Sequence, residues 1–386
     1  MPKGSTQQFE FHEFRDRDTG VRVVRLTPPE VACPRNYFYQ KCFSNDGRWL
    51  IFGCELEGAF NVWQLNLASG QARQLTEGAG DNYHGAYLSP DDRFLFYTKG
   101  GREHRRVDLA SLEERVIYTV PEGWTGAGTW VPNSACTQIA GMEMLAADRV
   151  ISSNGWERFR LQFERQPLER LIAIDIASGQ ARVVHEEKRY LGHPMFRPFD
   201  DDTMGYCHEG PHDLVDARMW LIDADGSRPR RVKTHAPHEA CMHEFWIPDG
   251  SRLMYVSYIK GQQQRGMWAA DPVTLVNEHV MDIPPCAHLM SNHDGTLVVG
   301  DGAGQLGDVA DKDGHAFEPD PYLHLFDLRT RGTRRICRHD TSWAEYRGST
   351  QVTHPHPSFT PDDRQVLFSS DMHGKPALYL ADLPAA

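Results

Sequence analysis

Nowhere in this 386-residue chain do about eighteen apolar residues follow one another, so no membrane-spanning helix is expected. The N-terminal stretch "MPKGSTQQFEFHEFRDRDTG" places no apolar run behind its early lysine, and a cytoplasmic location is the resulting expectation. Paired cysteines are also missing. Cys33, Cys42, Cys54, Cys136, Cys207, Cys241, Cys286 and Cys337 are scattered with no CxxC among them, which suits buried, reduced thiols better than a disulfide framework or a thiolate zinc site. Positive charge is scarce: 41 Lys and Arg stand against 53 Asp and Glu, a formal net charge of −12. With no basic stripe to override it, that balance disfavours non-specific binding to nucleic acid or anionic membranes. Any anionic ligand must be drawn by local charge. The chain has no GxSxG elbow, Walker loop, HExxH helix or GxGxxG after a strand, which argues against the chemistries those motifs carry. With 33 Gly and 24 Pro the composition is turn-rich but too low in both for disorder.

What is present is a repeat. An apolar segment, a turn such as "SNDG" or "SPDD", an alternating strand and a phrase like "DLASG" recur along the chain, as in "SNDGRWLIFG" and "TPDDRQVLFSSD". Alternation in "RFLFYT" and "QVLFSS" has the period of a half-buried strand, and the Asp-Gly and Asp-Asp turns are hairpin chemistry. The turn anchors Asp46, Asp91, Asn133, Asp200, Asp249, Asp294 and Asp362 are separated by 45, 42, 67, 49, 45 and 68 residues. The shorter intervals match four-stranded propeller blades, and seven anchors mean seven blades. The expected fold is therefore all-β: a seven-bladed β-propeller, read as a single domain over 1–386. The long intervals imply insertions at about 142–168 and 302–320. Residues 22–27, "RVVRLT", have the composition of an outer strand and are expected to complete the last blade. A pair of β-sandwiches also shows evenly spaced strands, but does not account for seven like units.

In such a blade the innermost strand runs down to the anchor, so residues about six before it should reach one face of the central channel. Those positions hold Gln40, Gly85, Ala127, Pro194, His243, His288 and His356. Three neighbouring blades thus carry histidine in register, and His354 shares the expected face of His356 by the period-two rule. A chance match would leave ordinary hydrogen-bonded inner histidines. Read functionally, His288, His354 and His356 satisfy a catalytic metal site, and Gln351 could add an amide oxygen. Spacing does not choose the metal. In the fourth blade "GYCHEGPHDLVDARMW" brings His208 and Glu209 to the same face. Arg218 starts the next strand, where it either clamps a carboxylate or forms a salt bridge with Glu209 or Asp216. Asp371 and His373 of "SSDMHG" are expected behind the ligands.

The passages "RNYFYQKCF", "LGHP", "CHEGPHDLVDARMWLI", "HEFWIPDG", "HLMSN" and "QVTHPHPSFTPDD…SSDMHGKPALYLAD" resemble the oligogalacturonate lyases, polysaccharide lyase family 22, from the first blade to the last. The resemblance implies a seven-bladed propeller that holds a manganese ion through His288, His354, His356 and Gln351. It also implies a base at His243 and a functional arginine at Arg218. His208, brought to the same face by the register of the repeat, is expected to meet the substrate with Arg218. The implied substrate is a short acidic oligosaccharide, digalacturonate or trigalacturonate. The implied reaction is β-elimination: removal of the C5 proton beside a carboxylate and expulsion of the sugar at O4. Its base must be neutral at working pH, and nearby cations favour neutral imidazole. Two rival readings stand beside it. One is a non-catalytic propeller similar to the TolB type, used as a protein-interaction platform. The other is a metal-dependent hydrolase or isomerase with the same ligands.

Overall fold

Each blade is organised by its anchor turn. At the first, second and seventh anchors a hydroxyl two residues upstream donates to the aspartate: Ser44 to Asp46 at 2.6 Å, Ser89 to Asp91 at 2.6 Å and Thr360 to Asp362 at 2.7 Å. The same carboxylates accept the amides of Arg48, Arg93 and Arg364. The side chain thereby closes a tight turn that the alternating strands on either side can follow. A computed structural model describes residues 1–384 apart from 57, 212–213, 263, 304–318 and 350. It shows the seven-bladed β-propeller that the anchor spacing implies, with six four-stranded sheets and one five-stranded sheet among the described residues. No helix among them is long and apolar enough to cross a membrane.

The described residues divide into two compact units. Residues 1–8 and 40–234 hold four blades. The first uses Thr6–Gln8 as its outer strand, hydrogen-bonded to Gln71–Gln74. In the third, Gln138–Leu145 pairs with Leu168–Asp175, and Met142, Glu143 and Met144 lie opposite Leu171, Arg170 and Glu169. The insertion expected at 142–168 is therefore shorter than the sequence suggested, because "GMEML" continues the ladder and only 146–167 leaves it. Within it lies helix α1 (Gly155–Arg165), capped by Asn154, whose side chain accepts from the Glu157 amide, and ended by Gln166 in the left-handed conformation. Phe163 of α1 packs so closely on Gly210 that a Cβ there would meet its ring at 2.3 Å. The second insertion, 302–320, falls over 304–318 outside the described residues.

Residues 9–39 and 235–386 hold three blades. In the last, Arg22–Arg25 pairs antiparallel with Ala377–Asp382, placing Val23 opposite Ala381 and Val24 opposite Leu380. This is the closure expected of residues 22–27. A further strand, His12–Arg15, pairs with Arg22–Arg25 and makes the sheet five-stranded. Val23 buries itself with Val299, Leu325, Val366, Phe368 and Tyr379, so the N-terminal strand is held by core packing as well as by its ladder.

One irregularity recurs where the inner strands approach their anchors. Register shifts interrupt the inner ladders between Ala127 and Val131, Gly192 and Met195, Met242 and Phe245, and Cys286 and Leu289. Gly128, His193, His243 and, in the last blade, His356 take positive φ there, at 65°, 49°, 53° and 47°. Glycine does this freely, whereas each histidine is strained by roughly 1–3 kcal/mol. Such bulges bend a strand and re-aim one side chain, and the imidazoles mark where this happens.

Candidate metal centre and active site

His288, His354 and His356 lie together in the second unit, and one ring nitrogen of each falls within 4.8 Å of the others. All three are buried, with 2%, 6% and 1% of their surface exposed. His288 sits on the inner strand Cys286–Ser291, while His354 and His356 lie on an irregular segment just before the short strand Ser358–Phe359. The sequence expected the pleat to put His354 and His356 on one face. They do converge, but along a non-strand segment that turns through positive φ at His356. Gln351 Oε1 is 3.0 Å from His356 Nε2. Donors at about 2.1 Å from one ion and at right angles are about 3 Å apart, so this spacing suits two ligands of one cation. Three imidazoles and an amide oxygen are neutral, borderline donors for a divalent transition metal, and the residues fit such an ion.

The rings are oriented from behind. Asp301, fully buried on the strand Leu297–Gly302, accepts the His288 amide at 2.6 Å and His288 Nδ1–H at 2.9 Å. The same carboxylate accepts the His356 amide at 3.2 Å. Because Nδ1 of His288 carries the proton given to Asp301, Nε2 is the nitrogen left for a cation. Buried Arg35 donates to the His356 carbonyl and, at 2.8 Å, to Ser358 Oγ. Buried Arg265 donates to the Cys286 carbonyl at 2.7 Å and lies over the Tyr258 ring. Two guanidiniums thus pin the backbone of the segments that carry the three histidines.

His243, also in this unit, is less buried than the three. Its ring centroid is 4.5 Å from that of His288, yet it is not part of the convergent set. An imidazole beside such a cluster but outside it keeps a ring nitrogen that a cation held by the other three would not occupy.

Comparison with known proteins decides the family. The model of the oligogalacturonate lyase family matches residues 1–386. The chain is 54% identical to the oligogalacturonate lyase of Dickeya dadantii and 52% to the oligogalacturonide lyase of Pectobacterium atrosepticum, covering 100% of this chain and 99% of each relative. The solved structure of an oligogalacturonate lyase in complex with manganese superposes with a TM-score of 0.92 at 52% identity, over 100% of this chain and 99% of the other. This chain belongs to the oligogalacturonate lyase family.

In this family member Arg218 and His208 belong to the first unit. Arg218, 3% exposed, donates to Glu209 Oε2 at 3.0 Å and Oε1 at 3.4 Å, the salt bridge that the sequence offered as one alternative. Cys207 Sγ is 3.5 Å and His193 Nε2 is 3.6 Å from Glu209 Oε1. His193, Cys207 and Glu209 have a spacing open to a cation, but the guanidinium already meets that carboxylate. Gly192 makes the arrangement possible, since a Cβ there would strike Glu209 Oε1 at 2.5 Å. His208 faces elsewhere: its Nε2 is 2.7 Å from Glu187 Oε1 and its ring lies 5.0 Å from Trp220. Burial raises the pKa of Glu187, but hydrogen bonds from His185 and His208 overcome it and hold the group at about 2. The His208 amide donates to the Arg218 carbonyl at 2.8 Å.

Behind this cluster stands Glu169, fully buried, with Oε2 accepting the Leu191 amide at 3.1 Å. Its Oε1 meets no hydrogen-bond partner among the described residues. Burial, reinforced by Glu209 and opposed by the Leu191 amide, lifts its pKa well above 4.5.

Sequence reasoning missed Asp301, Arg35, Arg265 and His193. Asp301 was signalled by a carboxylate inside the apolar run "LVVGDG". His193 was missed because the fourth hairpin turns early, pairing Arg197 with Asp200, so counting back from Asp200 falls on Pro194.

Two outcomes follow from this geometry. Asp301→Ala is expected to weaken binding of a divalent transition metal about 10–100-fold by freeing the His288 tautomer, as direct metal titration would measure. Unchanged affinity would remove Asp301 from the site. For Glu169, a folded-state pKa above the unfolded one means that the folded chain holds an extra proton. Stability is then lost as pH rises from 4.5 through the folded value. Glu169→Gln should therefore gain in melting temperature over the parent as pH rises through this window; a gap independent of pH would contradict the assignment.

Proposed function

We propose that this lyase catalyses metal-assisted β-elimination of short galacturonate oligomers in pectin degradation, leaving an unsaturated uronate. The observation that carries the reading is the convergence of three buried histidines beside a fourth, more open imidazole, in a member of the oligogalacturonate lyase family. A divalent cation, Mn2+ by analogy with the similar solved lyase, would be held by His288, His354, His356 and Gln351 and would supply charge stabilisation to a uronate carboxylate as its α-carbon loses a proton.

The chain's own residues do the rest. His243 takes the C5 proton on an imidazole nitrogen. The C5–H electron pair becomes the C4–C5 double bond, the C4–O4 bond breaks, and the leaving oxygen is protonated by water. Arg218, whose fork is paired with Glu209, is assigned to a substrate carboxylate in exchange for that partner, and His208 supports it through the bond from its amide to the Arg218 carbonyl. A TolB-like interaction platform has no need of a buried histidine cluster braced by a carboxylate.

His243→Ala should lower turnover by a factor of about 10²–10⁴ while metal content stays unchanged. Loss of metal from that variant would make His243 a ligand instead.

The substrate is further proposed to be a short oligomer, digalacturonate or trigalacturonate, met in the cytoplasm. A net charge of −12 repels a long polyanion, whereas one cation and a few basic groups suffice for one or two carboxylates. Salt screens exposed charges more than close contacts, so raising ionic strength should narrow the gap in kcat/KM between digalacturonate and polygalacturonate. Equal or better efficiency on the polymer at low salt would refute this preference.

A further inference from the structure

One side chain at the histidine cluster is accounted for neither by packing nor by metal binding. Trp343 is only partly buried, and its indole lies 4.6 Å from the His354 ring and 6.4 Å from that of His288, the latter pair nearly parallel at 11°. Its backbone takes φ 57°. For a bulky residue the left-handed region is a genuine outlier, and strain of this kind persists only where the surroundings enforce it.

The surroundings are specific. The Thr341 amide donates to His339 Nδ1 at 3.2 Å, while His339 Nε2–H donates to the Gly302 carbonyl at 3.0 Å. Burial keeps that imidazole neutral by lowering its pKa, so one nitrogen can donate while the other accepts. Asp371 accepts the Ser342 amide at 2.8 Å and the Ser342 hydroxyl, and lies 3.0 Å from Thr341 Oγ1. Thr341 Oγ1 reaches the Thr353 carbonyl at 2.5 Å, and Thr353 Oγ1 donates to the Ala344 carbonyl at 2.8 Å. Thr353 immediately precedes His354. The network thus ties the loop bearing Trp343 to the segment that carries the proposed ligands, and it holds the indole where apolar packing alone would not require it.

We propose that Trp343 is a saccharide-binding residue: its indole face stacks on a pyranose ring while a uronate carboxylate is directed toward the histidine cluster. The chemistry is complementary. A pyranose offers a face of C–H bonds with slight positive charge, an indole offers an electron-rich face, and stacking removes apolar surface on both sides from water. The ring bound is the one adjoining the reacting uronate, because a base must reach the C5 proton from a side that a stacked indole would block. This inference rests on the proposed galacturonate substrate.

The test uses the metal-loaded protein. Trp343→Ala should raise KM for digalacturonate about tenfold while kcat changes little and metal content is retained, whereas Trp343→Phe, which keeps an aromatic face, should remain close to the parent. A second readout does not depend on turnover or on the Ala variant folding. With His243→Ala protein, digalacturonate should produce a saturable change in tryptophan fluorescence, and this change should vanish when Trp343→Phe is added, although eight of the nine tryptophans remain. An unchanged KM in Trp343→Ala, or a fluorescence change that survives in the double variant, would overturn the proposal. Loss of metal from Trp343→Ala would overturn it too, making the indole a wall of the metal centre. If the parent neither binds nor cleaves digalacturonate, the substrate reading falls and this proposal falls with it; a parent that is active and a Trp343→Ala variant with equal KM would refute the stacking role alone.

Discussion

The site depends on one carboxylate. Asp301 is fully buried on a central strand, and three N–H groups reach it: the His288 amide, His288 Nδ1–H and the His356 amide. A carboxylate withdrawn from water is tolerable only with such satisfaction and with positive charge nearby. Removing it would leave an imidazole free to change tautomer and the two histidine-bearing segments no longer tied together. Buried Arg35 and Arg265 act on the same segments through their carbonyls. The proposed ligands are therefore fixed by their supports without a cation, which favours a metal that serves chemistry over one that organises the fold.

Strain is the second theme. Propeller blades place their inner strands side by side, but a regular strand would aim side chains strictly by alternation. The bulges at His193 and His243, and the turn at His356, break that rule at the same point of different blades. Met242 and Phe245, on either side of His243, are buried in one hydrophobic cluster. The hydrophobic sheets supply the stability against which a few unfavourable backbone conformations are maintained, and those conformations carry the imidazoles.

Much of this was legible in the sequence. Asp and Asn turns recurring every 42–49 residues, with two longer gaps of 67 and 68, specify hairpins locally, so the seven blades and the closing strand Arg22–Arg25 could be read directly. Histidines in register three times over located the cluster, because a repeat converts sequence position into spatial position. The failures have physical causes. Alternation treats a polar residue in a strand as solvent-facing, which hides Asp301. In the fourth hairpin Asp200 already pairs with Arg197 instead of standing in the turn, which shifts the count by one and conceals His193. Guanidiniums that hold carbonyls, as Arg35 and Arg265 do, leave no periodic trace. The continuation of "GMEML" as a strand was hidden by the charged insertion that follows it.

The central claim is that a divalent metal held by the histidine cluster would stabilise charge in an elimination whose proton His243 takes, and would not be a structural staple. It is tested most directly by following the ultraviolet absorbance of the new C=C bond during digalacturonate turnover, with and without chelator, alongside far-ultraviolet circular dichroism. The account predicts that chelation abolishes the absorbance increase, leaves the β-sheet signal intact, and is reversed by added Mn2+. Undiminished product formation in chelator, or loss of the β-sheet signal together with activity, would contradict it.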